Sequence, residues 1–157
     1  MPAITALLHA RNDALRLGRA LETLLPCDEI LVIDHASQDA TTRIAREYGA
    51  KVTASTGSSL SQYLQLVRHE WILCLEARES ITEALSASLF EWKSQSQPGI
   101  APFSLFLREE TAGGWVQNPV PQTRLVPHTW NRWQGELPAP EPSAIALEGA
   151  LLRFFQP

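Results

Sequence analysis

The stretch that most limits what this chain can become runs Asp28-Glu29-Ile30-Leu31-Val32-Ile33-Asp34-His35-Ala36-Ser37-Gln38-Asp39-Ala40-Thr41. Residues 30–33 are continuously apolar and mostly β-branched, the pattern of a strand buried on both faces. The run stops at a carboxylate, Asp34. Ser37 and Asp39, both good helix N-caps, then precede a helical pattern of Ala40, Ile44, Ala45 and Tyr48 that Gly49 closes. Strand, acid, polar turn and helix in that order put Asp34 at the carboxyl end of a parallel strand, where open α/β sheets bind ligands. A carboxylate there accepts hydrogen bonds from a ribose hydroxyl or a base N–H, or it simply forms the turn.

The flanking segments repeat the alternation. Residues 4–8 read as a first strand, followed by His9-Ala10-Arg11-Asn12-Asp13. His9 and Arg11 fit a solvated loop, and Asn12 or Asp13 caps a helix carrying Leu17, Leu21 and Leu24 up to Pro26. The amides of that helix N-terminus would then point at an anion. A weaker strand covers residues 51–55, and Gly57-Ser58-Ser59 opens a helix with Leu60, Tyr63, Leu64 and Val67 on one side. Residues 71–75 form a second buried strand that also ends in charge, at Glu76-Ala77-Arg78-Glu79. Ser80 and Glu83 have the spacing of a capping box, and the helix they predict carries Leu85, Leu89 and Trp92.

Strands alternating with helices imply βαβ units: an α/β fold of three layers, with a mostly parallel sheet flanked by helices. After Gln97 the composition shifts, since most of the prolines and three of the five tryptophans lie beyond it. Residues 101–107 read as a strand, Gly113-Gly114 as a turn, 115–116 and 123–126 as short strand pieces, and 144–155 as apolar enough to pack back on the body. So many breaks make a poor independent core, and residues 1–157 read as a single domain: a first half, 1–97, and a reduced extension, 98–157.

A formal net charge of −4 with scattered basic residues gives no footprint for nucleic acid. The sequence has no secretory signal pattern and no apolar run long enough to span a bilayer. Cys27 and Cys74 form no motif and read as reduced thiols, which places the protein in the cytoplasm. A dinucleotide-binding Rossmann reading lacks its Gly-x-Gly-x-x-Gly after the first strand.

Residues 4–13, 29–41 and 71–85 together resemble the nucleotide-sugar half of a family 2 glycosyltransferase with the GT-A fold, closest to the bacterial branch that builds lipopolysaccharide core. The family's first strand ends in Asn-Glu, here Asn12-Asp13. Its Val-Val-Asp-x-x-Ser-x-Asp-x-Thr is matched by Val32-Ile33-Asp34-His35-Ala36-Ser37-Gln38-Asp39-Ala40-Thr41, and Glu47-Tyr48-Gly49-Ala50-Lys51-Val52 follows in place. Beyond Gln97 only Gly114-Trp115 and Arg124-Leu125 look like the family's acceptor-side segment. The resemblance implies a nucleotide-sugar donor, a uridine diphosphate sugar by preference, and an acceptor that the sequence does not name. It puts Asp34 at the base, Asp13 near the ribose, and Arg11, Glu76 and Arg78 in the same nucleotide site.

The family's Leu-Asp-Ala-Asp-Glu, which holds Mn²⁺ or Mg²⁺, reads Leu75-Glu76-Ala77-Arg78-Glu79 here. A guanidinium replaces one ligand, so no metal ligand and no cofactor are assigned. Deprotonating an acceptor hydroxyl needs a base. Glu79, Glu109, Glu110 and Glu136 qualify by type; Glu79, in this motif, and Glu136, in a Gly135-Glu136 pair where the family has His-Glu, are the catalytic candidates. Two functions follow. One is a divergent glycosyltransferase, either metal-independent or relying on a partner chain, such as a second copy of itself, for the acceptor side. The other is a catalytically inactive, transferase-shaped domain that binds a nucleotide or a partner protein.

Overall fold

The computed structural model describes residues 1–57, 60–95 and 98–157, and for 60 and 61 the backbone alone. The helix opening read at Ser58-Ser59 and the boundary read at Gln97 lie outside these residues.

The first half is a parallel sheet. Strands β1 (Ile4–Ala10), β2 (Glu29–Asp34), β3 (Lys51–Ala54) and β4 (Trp71–Glu76) lie in the order β3-β2-β1-β4, all parallel. Helices α1 (Ala14–Glu22), α2 (Thr41–Glu47) and α3 (Leu60–Leu64) make the crossovers. Ala10 pairs with Asp34 and His9 with Glu76, so β1, β2 and β4 end together. Asp34 and Glu76 thus flank the carboxyl end of β1 at one sheet edge, as the sequence predicts.

From Glu79 onward the chain extends this sheet and adds a separate two-stranded one. It adds β5 (Glu79–Ile81), α4 (Glu83–Ser94), β6 (Phe103–Thr111), β7 (Gly114–Trp115), β8 (Val120–Pro127), β9 (Trp133–Gln134), β10 (Leu137–Pro138) and β11 (Ile145–Arg153). The sheet continues β4-β8-β6-β11-β5, with β8 antiparallel to β4 and β6, and β11 parallel to β6. The segment read only as apolar packing is therefore a full strand. Within it Gly149, at φ +96°, lies so close to α4 that a Cβ would meet the Leu85 backbone nitrogen at 2.3 Å.

Both sheet faces are covered. Leu17, Leu21, Ala45, Leu85, Leu89 and Trp92 of α1, α2 and α4 bury one face. Leu7, Ile33, Ile72 and Cys74 bury the other beneath Tyr63 of α3, with Trp130, Trp133 and Leu137 packed against them. Cys27 and Cys74 are free, and burial pushes both thiols up to about 12. No described helix is long and apolar enough to cross a membrane.

Two local expectations change. The capping box at Ser80 gives way to Thr82, whose hydroxyl accepts the Leu85 amide at 3.3 Å. The reason is tertiary: Ser80 pairs with Leu152, so the chain stays extended through Ile81. At the α1 N-terminus the Ala14 amide is taken by Asp39 Oδ2 at 3.2 Å, so a carboxylate of the chain itself meets the first amide.

Candidate functional site

The Ser-x-Asp-x-Thr motif turns out to be loop scaffolding. The Asn12 amide donates to Ser37 Oγ at 2.9 Å, the Asp13 amide to Thr41 Oγ1 at 2.9 Å, and the Gln38 amide to Asn12 Oδ1 at 2.8 Å. The turn after β1 is thereby stitched to the turn after β2. Asn12 and Ala36 take positive φ, 52° and 54°, as the bends require. This stitching presents Arg11 and Asp13 at the sheet edge.

There a cleft of about 500 Å³ is lined by Arg11, Asp13, Arg16, Glu76, Arg78 and Glu136, with His9 among the other residues. Each guanidinium rests on a carboxylate: Arg16 Nε on Asp13 at 3.0 Å, Arg78 Nε on Glu76 at 2.9 Å, and Arg11 on Glu136 through both oxygens. The Arg11 and Arg78 pairs are exposed, and surface ion pairs of this kind contribute little to stability. A second cleft, about 290 Å³, adjoins the first across His9 and Glu136 and includes His35, Ser55 and Tyr63. The Tyr63 hydroxyl and Ser55 Oγ lie 2.9 Å apart.

Between the clefts His9 Nδ1 and His35 Nε2 meet at 2.8 Å, with Glu136 Oε1 at 3.7 and 3.8 Å from them. Burial lowers the His9 imidazole to about 4, only partly opposed by Glu136, so the ring is neutral at neutral pH. Burial alone would raise the Glu136 carboxyl; its bonds to Arg11 and its proximity to His9 bring it below the ordinary value, and it is ionised.

The sequence candidates separate. Arg11, Asp13, Glu76, Arg78 and Glu136 share the first cleft. Asp34 stands behind it: only 8% exposed, it lines neither cleft, and its Oδ2 accepts the Ser37 amide at 3.2 Å. It faces the ligand side only through the turn that carries His35. Glu79 is removed from catalysis altogether. It is fully buried, and Arg124 binds it bidentately at 2.7 and 2.9 Å. Arg153 adds contacts through Nε at 3.1 Å and Nη2 at 3.0 Å, and the Glu76 amide donates at 2.7 Å. Glu109 and Glu110 bond Arg153 and the Phe155 amide and line no part of the first cleft.

The family's metal position can be judged on the same geometry. Glu76 Oε2 is held by Arg78 at 2.9 Å and by Arg153 at 3.2 Å, and Glu79 has no oxygen to spare. Two guanidinium groups against one half-exposed carboxylate repel a divalent cation. Residues 76–79 do not fit Mg²⁺ or Mn²⁺.

No family model matches the sequence. Among curated proteins, the chain is 33% identical over 132 residues to a TPR repeat-containing protein of Synechococcus elongatus, covering 80% of this chain and 31% of that one. It is 32% identical over 90 residues to an uncharacterized glycosyltransferase of Rickettsia felis, covering 54% of this chain and 32% of that protein. The chain thus spans about a third of the length of these relatives. Among solved structures, S. aureus TarS (1–349) superposes with a TM-score of 0.54 at 19% identity, over 76% of this chain and 38% of that one. Glucosyl-3-phosphoglycerate synthase from Mycobacterium tuberculosis, in complex with Mn²⁺, UDP and glucosyl-3-phosphoglycerate, gives 0.52 at 19%, over 68% and 44%. The fold is of the GT-A type.

Within this GT-A frame the sequence reading missed His9, His35, Tyr63 and Arg16. His9 is no loop residue: β1 runs to Ala10, two residues beyond the strand read from sequence, and His9 is buried within it. The alternation of Leu7 and His9 on one face was the available signal. Nothing local marks His35 or Arg16.

Proposed function

We propose that this chain is the donor-binding unit of a nucleotide-sugar-dependent glycosyltransferase that meets the leaving diphosphate with guanidinium groups instead of a metal at residues 76–79. One observation carries this: Arg11, Arg16 and Arg78 converge on a single cleft at the carboxyl ends of β1 and β4, each paired there with a carboxylate. A diphosphate is the stronger partner, because its oxygens match the guanidinium fork. The nucleoside, uridine by preference, extends into the adjoining cleft of His9, His35 and Tyr63, with Asp34 holding the turn behind it. The UDP complex of the mycobacterial GT-A structure supports the choice of nucleotide for this chain.

In transfer, the acceptor hydroxyl attacks the anomeric carbon, the bond to the diphosphate breaks, and a base takes the hydroxyl proton. Glu136 is the candidate base on the cleft. Diphosphate drawn onto Arg11 releases Glu136 from its ion pair and leaves it free to accept that proton. Residues 98–157 contribute to the acceptor side, which a partner chain such as a second copy completes. A sugar of lipopolysaccharide-core type is the acceptor class that the sequence resemblance favours, in a cytoplasmic setting.

The arginine occupancy around Glu76 also suits an inactive, nucleotide-binding domain. Nucleoside diphosphate release from UDP-sugars, measured with and without Mg²⁺, separates the two. Release independent of Mg²⁺ supports the transferase; binding without release supports the inactive domain. Neither binding nor release removes both.

A further inference from the structure

The junction of the two clefts carries a donor set that the transfer chemistry does not need. We propose that His9 Nδ1, His35 Nε2 and a Glu136 carboxylate oxygen form a binding site for a borderline divalent transition-metal ion of the Zn²⁺ or Co²⁺ class.

The three donor atoms lie within 4.8 Å of one another, at pairwise separations of 2.8, 3.7 and 3.8 Å. Ligand bonds of about 2.0–2.2 Å in tetrahedral geometry put donors roughly 3.3–3.5 Å apart, so shifts of a few tenths of an ångström close the site. Two of the ligands are fixed by the backbone. His9 lies one residue before the end of β1, and the His35 amide donates to the Ala10 carbonyl at 2.9 Å, so the two rings stand side by side, centroids 5.0 Å apart and tilted by 31°. The third ligand arrives on the turn between β9 and β10, where Gly135 takes φ 65°. Three protein ligands leave a fourth position, and His9 and Glu136 line both clefts, so that position opens to solvent or ligand.

Two imidazoles and one carboxylate suit Zn²⁺, Co²⁺ or Ni²⁺ far better than Mg²⁺, which wants oxygen throughout. The site is also separate in kind from residues 76–79, whose carboxylates are committed to arginines. Its competitor is Arg11, which shares Glu136 but has a side chain 54% exposed and free to swing away. A bound cation would pin the β9–β10 hairpin to the ends of β1 and β2. It would also claim the carboxylate proposed as base, so metal loading and a free Glu136 are alternatives.

The test is titration of the metal-stripped full chain with Zn²⁺ by calorimetry and with Co²⁺ by its visible spectrum. One equivalent of saturable binding with the intense bands of four-coordinate Co²⁺ is expected. Loss of a mere supporting partner lowers metal affinity about 10–100-fold, so loss of a ligand in His35→Ala or Glu136→Gln should cost roughly 100-fold or more. Both substitutions lie near solvent and leave the buried His9 intact, and circular dichroism confirms their folding. Arg11→Gln should tighten Zn²⁺, because it removes the competitor. No saturable binding, or an unchanged affinity in either His35→Ala or Glu136→Gln, overturns the proposal. UDP titration of the same metal-free protein reports on the nucleotide reading independently.

Discussion

Glu79 and Glu136 are both arginine-bound carboxylates beside the carboxyl ends of the parallel strands, and by residue type they are equal candidates for a base. Their surroundings differ in every respect that matters for chemistry. Glu79 is fully buried against Arg124, itself only 1% exposed, and its contacts join β4, β5, β8 and β11. Glu136 has a side chain 38% exposed, and its partner Arg11 reaches in from solvent. The first arrangement fixes the sheet where the parallel half meets the mixed half. The second leaves a carboxylate that can change partners. A charge that is saturated and dry is structure; one that is shared and wet is available.

The largest effect should come from breaking the dry site. Glu79→Gln leaves Arg124 buried without its counter-charge, and urea unfolding should show a loss of about 3–5 kcal/mol. A loss under about 1 kcal/mol would erase the contrast. The same variant reports on pH. Burial raises the Glu79 carboxyl, but the Arg124 fork, the Glu76 amide and Arg153 outweigh it and hold the folded value below the ordinary 4.5. Such a group adds stability that is present above its unfolded value and lost as pH falls through the folded one. Acid destabilisation below pH 4.5 should therefore be shallower in Glu79→Gln than in the wild type. Parallel curves would assign the acid sensitivity elsewhere.

Next in size are the guanidiniums of the wet site. Arg78→Ala should weaken UDP by about 1.5–3 kcal/mol and uridine hardly at all, since only the diphosphate meets its charge. Equal losses for both ligands would make Arg78 a surface partner of Glu76 and no more. The smallest effect belongs to Glu136→Gln on stability: within about 1 kcal/mol in the same urea assay, as for other exposed ion pairs. A larger loss would make Glu136 a second structural anchor.

The sequence made local features legible and hid those that depend on long-range pairing. The 30–33 run, its stop at Asp34 and the charged end of β4 were readable because buried parallel strands leave an apolar signature and ligand edges do not. Ser37, Asp39 and Thr41 were visible as a motif, but their work of bonding residues 12–14 was not, because no local pattern tells which loop a hydroxyl will meet. Glu136 reaches Arg11 across 125 residues of chain, and Arg153 meets Glu79 from a strand that its sequence announced only as apolar. The cap moved from Ser80 to Thr82 for the same reason, since β11 holds Ser80 extended. Asp34 was placed at the right edge; one carboxylate oxygen holds its own turn, and the other is buried with no hydrogen-bond partner among the described residues.

The central claim is that arginines, and no cation at residues 76–79, receive the diphosphate. Calorimetric titration of UDP in excess Mg²⁺ and again in EDTA tests it most directly, because Mg²⁺ prefers oxygen ligands and avoids the histidine pair. The account predicts equal affinity in the two conditions and a clear loss in Arg78→Ala in both. UDP binding that appears only with Mg²⁺ and disappears in Glu76→Gln would contradict it.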